Sequence, residues 1–225
     1  MIVVYALLGF ALGALLNALA DALPLHRTVT RPAYLSRRGP LRARDAAVHL
    51  VSASLFAFLW TQYDARPVRL VLVSISTLVL LLVTVTDIEH KRIPDSVILP
   101  AIAFAAITSP LSFGDGWPFA LVGGCVGFLF FFTAYAFGNR LWGHGALGQG
   151  DVKLGAFVGL IGGFPQILVG LIVGLFAGGV VGALLLLVRR ASLRTAIPYG
   201  PFIVIGGFYA MVWGADVIRW YAGQF

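Results

Sequence analysis

Two aspartates stand where the sequence gives a negative charge little local reason to be. Asp87 closes seventeen uncharged residues, LVLVSISTLVLLLVTVT, and opens the stretch DIEHKRIPD, in which charges crowd together. Asp151 follows Gly148-Gln149-Gly150 and opens a second apolar run. A carboxylate at a membrane boundary costs a few kcal/mol unless it is paired, hydrated or protonated. Asp151 has an ordinary explanation, since an acid at a helix N-terminus accepts orphan N–H groups and complements the helix dipole. Asp87 does not, because at a helix C-terminus its charge opposes the dipole. Two carboxylates facing each other supply a reason. At close range both cannot ionise, and the pair holds one shared proton near neutral pH. The ionised member then serves as general base on a water while the protonated one polarises a peptide carbonyl. Aspartyl-type hydrolysis in a membrane is one outcome of such a pair; ion or solute transport is the other. The Gly148–Gly150 turn is expected to adopt unusual backbone angles and to admit a substrate strand closely, as irregular backbone at membrane depth requires a shielded or wet setting.

The elements that must position these groups are helices. Of 225 residues, 60% are hydrophobic and 11% charged, far below the charged quarter of soluble domains, which places the chain in the membrane class. Charge-free runs predict spans near 1–20, 46–63, 70–86, 96–114, 116–139 and 195–215. The run 154–188 is too long for one crossing of a core roughly 30 Å thick. Gly162-Gly163-Phe164-Pro165 breaks it into a short span near 152–163 and a second near 166–188. The expectation is an all-α polytopic protein with about eight transmembrane helices. Ala20-Asp21-Ala22 imitates a signal-peptide cleavage site, but the preceding apolar run is full length and lacks a basic residue, so it is read as a retained span. Asp21 itself reads as a solvated end residue. Glycines recurring every four residues, Gly155, Gly159 and Gly163, then Gly170, Gly174, Gly178 and Gly182, predict close helix packing and bury both of these spans inside the bundle. The one cysteine, Cys125, excludes a disulfide framework and a cysteine zinc site.

Orientation follows from basic residues. Thirteen of the sixteen fall in alternate loops: Arg27, Arg31, Arg37, Arg38, Arg42 and Arg44; Lys91 and Arg92; Arg140 and Lys153; Arg189, Arg190 and Arg194. That side is assigned to the cytoplasm, and both Asp87 and Asp151 lie on it. The basic excess thus sets topology and touches anionic headgroups; no interleaving of aromatic and basic residues suggests nucleic acid.

DIEHKRIPD (87–95), GQGDVKLGAF (148–157) and IPYGPFIVIGG (197–207) closely resemble, in order, characteristic stretches of the type IV prepilin peptidase family. The resemblance implies a multi-pass aspartic endopeptidase of the inner membrane that removes the basic leader of type IV prepilins and pseudopilins at the cytoplasmic face. It implies Asp87 and Asp151 as the catalytic pair, Gly148 and Gly150 as the loop presenting Asp151, and no metal. It divides the chain into a two-span N-terminal region, 1–69, and a six-span peptidase core, 70–225. Many family members also methylate the new pilin N-terminus with S-adenosylmethionine and carry two CxxC pairs in the first loop. Here that loop is short and cysteine-free, and GALLNALADALP (13–24) keeps Asn17 and Leu23-Pro24 but has Ala22 where a basic residue is expected. Proteolysis without a cofactor is therefore the primary expectation, with methylation as the alternative.

Of the remaining residues, Glu89 and Asp95 could attract a basic leader or balance Lys91 and Arg92. Pro94 is expected to stop the third span. Lys153 is assigned to Asp151 or to a lipid phosphate. His90 and His144 lack a third ligand and make a poor metal case. A transporter would carry internal repeats, and none is evident. A presenilin-type protease shares GxGD but pairs it with Tyr-Asp and Pro-Ala-Leu segments missing here at matching positions.

Overall fold

The computed structural model describes residues 1–23, 43–112, 116–142, 147–188 and 198–224. His144, Arg27 to Arg42 of the first loop, and Arg189, Arg190 and Arg194 lie outside them. The described chain forms eight helices: α1 (Ile2–Ala22), α2 (Ala43–Tyr63), α3 (Pro67–His90), α4 (Asp95–Ser112), α5 (Trp117–Trp142), α6 (Gln149–Gly162), α7 (Gln166–Leu187) and α8 (Gly200–Ala222). Among the described residues there is no strand. The protein is all-α and polytopic. Five helices, α1, α3, α5, α7 and α8, are long and apolar enough to cross a membrane. The fourteen residues of α6 rise only about 21 Å, short of a full crossing.

Contacts divide the chain into two compact units, Met1–Thr86 and Asp87–Phe225. In the first, α1 lies tightly on α2. A side chain at Gly9 would meet the Ser52 carbonyl at 2.6 Å, and Ser52 Oγ donates to the Gly9 carbonyl at 2.8 Å. His49 Nδ1 donates to the Phe10 carbonyl at 2.7 Å. Arg44 bridges Asp21 at 2.9 Å and Asp45 at 2.7 Å. Asp21 is therefore ion-paired across the hairpin and not simply solvated, because α2 begins with Arg44 opposite the last turn of α1. Within α3, Ser74, Ser76, Thr77 and Thr86 return their hydroxyls to carbonyls four residues earlier, which satisfies polar groups inside an apolar span.

In the second unit α6 is the central helix, with ten of its residues buried. It crosses α5 so closely that a methyl at Gly159 would strike the Gly123 carbonyl, and one at Gly127 the Gly155 carbonyl. Small residues on both sides permit this approach. α7 meets α8 likewise through Gly170 and Gly206. The break falls as expected, with α6 ending at Gly162 and α7 starting at Gln166, and Phe164 N–H bonded to the Phe119 carbonyl at 2.9 Å. The expected burial of both spans holds only for α6. On α7 only Ile167, Gly170 and Gly174 are buried, and Ile172, Leu175 and Phe176 are exposed. Its glycine stripe serves one neighbour, and nothing lies within 4 Å of a side chain at Gly182. The other faces are apolar and suit lipid.

Candidate active site

Asp87 occupies the last turn of α3. The helix ends at His90, and the Lys91 N–H returns to the Asp87 carbonyl at 2.9 Å with Lys91 in the left-handed region, φ 51°. This is the αL type of helix cap, normally held by glycine. Pro94 sits just ahead of α4, whose first free N–H groups, those of Val97 and Ile98, reach its carbonyl.

The side chain of Asp87 turns away from its own helix. Its Oδ2 accepts the N–H of Gly200, the first residue of α8, at 3.0 Å. The carboxylate that opposes the dipole of α3 thus complements the positive end of α8 and satisfies one of its orphan donors. A side chain at Gly200 would place its Cβ 2.5 Å from Asp87 Oδ2 and 2.9 Å from Cγ. Glycine is required there by space. Sequence reasoning missed Gly200 as a site residue, although the PYGP stretch that contains it was the available signal.

Asp151 stands in the first turn of α6, where its Oδ2 accepts the Gly148 N–H at 3.0 Å. The local capping expected of Asp151 is therefore present. The expected unusual backbone is not: Gly148 is extended, at φ −86° and ψ 153°, and neither Gly148 nor Gly150 has a positive φ. What Gly150 supplies is room, since a Cβ there would lie 3.0 Å from Cβ of Ile93.

Asp151 lies within electrostatic reach of Asp87, and both are nearly buried, Asp87 at 6% and Asp151 at 8% exposure. Neither forms an ion pair among the described residues, although Lys91 lies within electrostatic reach of Asp87. Each carboxylate is held by one glycine N–H on one oxygen, which orients it without neutralising it.

The other expected residues separate from the pair. Lys153 does not pair with Asp151; its Nζ contacts Asp95 Oδ1 at 2.6 Å. Two residues along a helix rotate the side chain by about 200°, which points Lys153 toward Asp95 on α4 and leaves Asp151 on the side of Asp87. Asp95 is thus balanced by Lys153, and not by Lys91 or Arg92. Glu89 is exposed on the last turn of α3. His90 is half-buried with Nδ1 unbonded. No group of three metal-ligating side chains occurs among the described residues.

A model of the type IV leader peptidase family matches residues 74–183, which include both aspartates. A Bacillus subtilis (strain 168) protein named prepilin leader peptidase/N-methyltransferase is 32% identical over 178 residues, covering 78% of this chain and 68% of the relative. The chain belongs to the type IV leader peptidase family. A Pseudomonas putida protein of the same name is 31% identical over 191 residues, 82% of this chain and 66% of that one. A Stutzerimonas stutzeri protein, also so named, is 30% identical over 142 residues, 63% of this chain and 49% of that one. The chain thus spans about half to two thirds of the length of these curated relatives. No solved structure matches it. Gly200 lies beyond the segment matched to the family model, yet its N–H is the group that fixes Asp87.

Proposed function

We propose that this member of the family is a leader peptidase that hydrolyses the peptide bond behind the basic leader of a type IV prepilin or pseudopilin, with Asp87 and Asp151 as the catalytic pair. The observation that carries this reading is two buried carboxyls within electrostatic reach of each other, each pinned by a glycine N–H and neither ion-paired among the described residues. Sharing one proton, the pair acts as a unit. The ionised carboxylate takes a proton from water as its oxygen attacks the scissile carbonyl carbon. The other carboxyl gives its proton to the carbonyl oxygen. As the tetrahedral diol collapses, one of its hydroxyls returns a proton to the ionised carboxylate, the C–N bond breaks, the amine leaves with the proton that the other carboxyl took from water, and the shared-proton state is restored. The Gly148–Gly150 segment presents Asp151.

The distribution of basic residues supports a multi-pass protein of the cell inner (cytoplasmic) membrane, with this site at the cytoplasmic face and residues 70–225 as the catalytic core. The names of the relatives favour a second reading, in which the product N-terminus is also methylated using S-adenosylmethionine. The described residues of 1–69 do not make a site for that cofactor. Among them Arg44 bonds Asp45 and Ser52 bonds the Gly9 carbonyl, and one acceptor without a hydrogen bond, Asn17 Oδ1, is too little to hold it.

The test is cleavage by protein reconstituted in lipid, using a prepilin with a basic leader, a Gly cleavage site and a following Phe. Wild type should release the leader, and Asp87→Asn and Asp151→Asn should each be inactive. Substantial turnover by either variant rules the pair out. The mass of the product shows whether a methyl group has been added.

A further inference from the structure

We propose that the hydroxyl of Tyr199 is a third functional group of this site, donating a hydrogen bond to the oxygen of the scissile carbonyl. The proposal rests on the peptidase reading above and names a residue which that reading does not use.

Tyr199 immediately precedes Gly200, the residue whose N–H holds Asp87. Its phenol lies within electrostatic reach of Asp151. Two consecutive residues therefore address the two aspartates, and Tyr199 cannot move far without disturbing the Gly200–Asp87 bond. The ring is fixed on several sides. Its centroid is 6.3 Å from that of Phe131 and 5.8 Å from that of Phe202, and a Cβ at Gly178 would lie 2.9 Å from its Cε2.

The ring also lines a narrow, partly open cleft formed by α5, α6, α7 and the start of α8, with only ≈ 10 Å³ open to a water-sized sphere and with Phe131, Val158, Leu171 and Ile203 among its walls. Tyr199 is the sole polar side chain among the described residues lining it. The residue is half-buried, and no described group is hydrogen-bonded to its hydroxyl. Burial first, and the charge of Asp151 second, raise the phenol above its ordinary pKa. It stays protonated through the physiological range and remains a donor. A polar hydroxyl on a residue that lines an apolar cleft, within electrostatic reach of a carboxylate yet not bonded to it, has its hydrogen available for a ligand.

A peptide carbonyl oxygen is the acceptor that fits. As water adds to the carbonyl carbon, negative charge grows on that oxygen. A fixed donor in a low-dielectric setting stabilises such charge without reorganising. No proton changes owner at Tyr199; the phenol only polarises.

Tyr199→Phe removes the hydroxyl and keeps the ring. In the reconstituted cleavage assay its kcat should fall about tenfold to a hundredfold, below the loss typical of a charge-stabilising backbone donor, with KM within about twofold. Its thermal unfolding in detergent should match wild type. A peptide mimic bearing a tetrahedral hydroxyl at the scissile position should bind the variant at least about tenfold more weakly, whereas an uncleavable peptide of the same sequence should bind both equally. Wild type and Asp151→Asn run alongside. If wild type cleaves and Asp151→Asn does not, the peptidase reading stands, and a wild-type kcat for Tyr199→Phe overturns the role given to the hydroxyl. Activity lost only in proportion to folded protein overturns it equally. If wild type itself cleaves nothing, the peptidase reading falls and takes this proposal with it.

Discussion

The molecule buries acids in two places and treats them in opposite ways. In the α1–α2 hairpin, Arg44 lies between Asp21 and Asp45 and bonds both within 2.9 Å. In the second unit, Asp87 and Asp151 are about as removed from water as Asp45 but receive one glycine N–H each. A guanidinium placed between two carboxylates neutralises them and fixes geometry, which makes a structural clasp. A single N–H orients a carboxylate and leaves its charge and second oxygen in play. The difference separates acids closed into an ion pair from acids that are oriented but not neutralised.

The largest expected effects test the chemical half of this contrast. Asp87→Asn and Asp151→Asn should each lower kcat by more than about a thousandfold, and the double variant should be no worse than either, because residues acting as a unit do not contribute additively. Additive losses would separate the two acids. Gly200→Ala comes next. Its Cβ would collide with the Asp87 carboxyl, and a displacement of this size costs on the order of a hundredfold in rate. Gly148→Ala is its control. The backbone there is ordinary and the new Cβ would lie 3.4 Å from Asp151 Oδ2, so kcat should change less than about threefold. Equal damage from both would mean that the two glycine bonds are not the distinct anchors described above.

Arg44→Met tests the structural half. It leaves Asp45, at 3% exposure, without this partner, and breaking a buried pair costs roughly 3 kcal/mol or more. Unfolding in detergent should shift accordingly, while kcat per folded molecule stays near wild type. A selective loss of kcat would erase the contrast between clasp and catalyst. The smallest effects belong to the exposed acids. Asp95→Asn breaks an exposed pair with Lys153, worth at most about 1 kcal/mol. If Glu89 and Asp95 meet a basic leader, Glu89→Gln with Asp95→Asn should raise KM a few-fold, and unchanged kinetics would confine Asp95 to its bond with Lys153.

Much of this was legible in the chain. Apolar runs marked the helices, Gly162 to Pro165 marked the break between α6 and α7, and two misplaced acids marked the site. These are local signals, carried by spacing along one helix or by the cost of a charge at its end. The partner of each charge was not legible. Lys153 reads as a neighbour of Asp151 and instead reaches Asp95; Asp21 reads as solvated and instead meets Arg44. Counting charges says how many must be balanced, but it does not say which side chains share a face after packing.

The sequence by itself determined that this is a membrane-embedded helical protein of a peptidase family with carboxyls at two helix ends, because hydropathy and end chemistry act over neighbouring residues. Tertiary structure alone decided that Asp87 caps a helix 113 positions away, that α6 is enclosed while α7 faces outward, and that Tyr199 stands beside the pair. Those outcomes depend on how closely glycine-lined helices approach and at what rotation, which no single helix encodes.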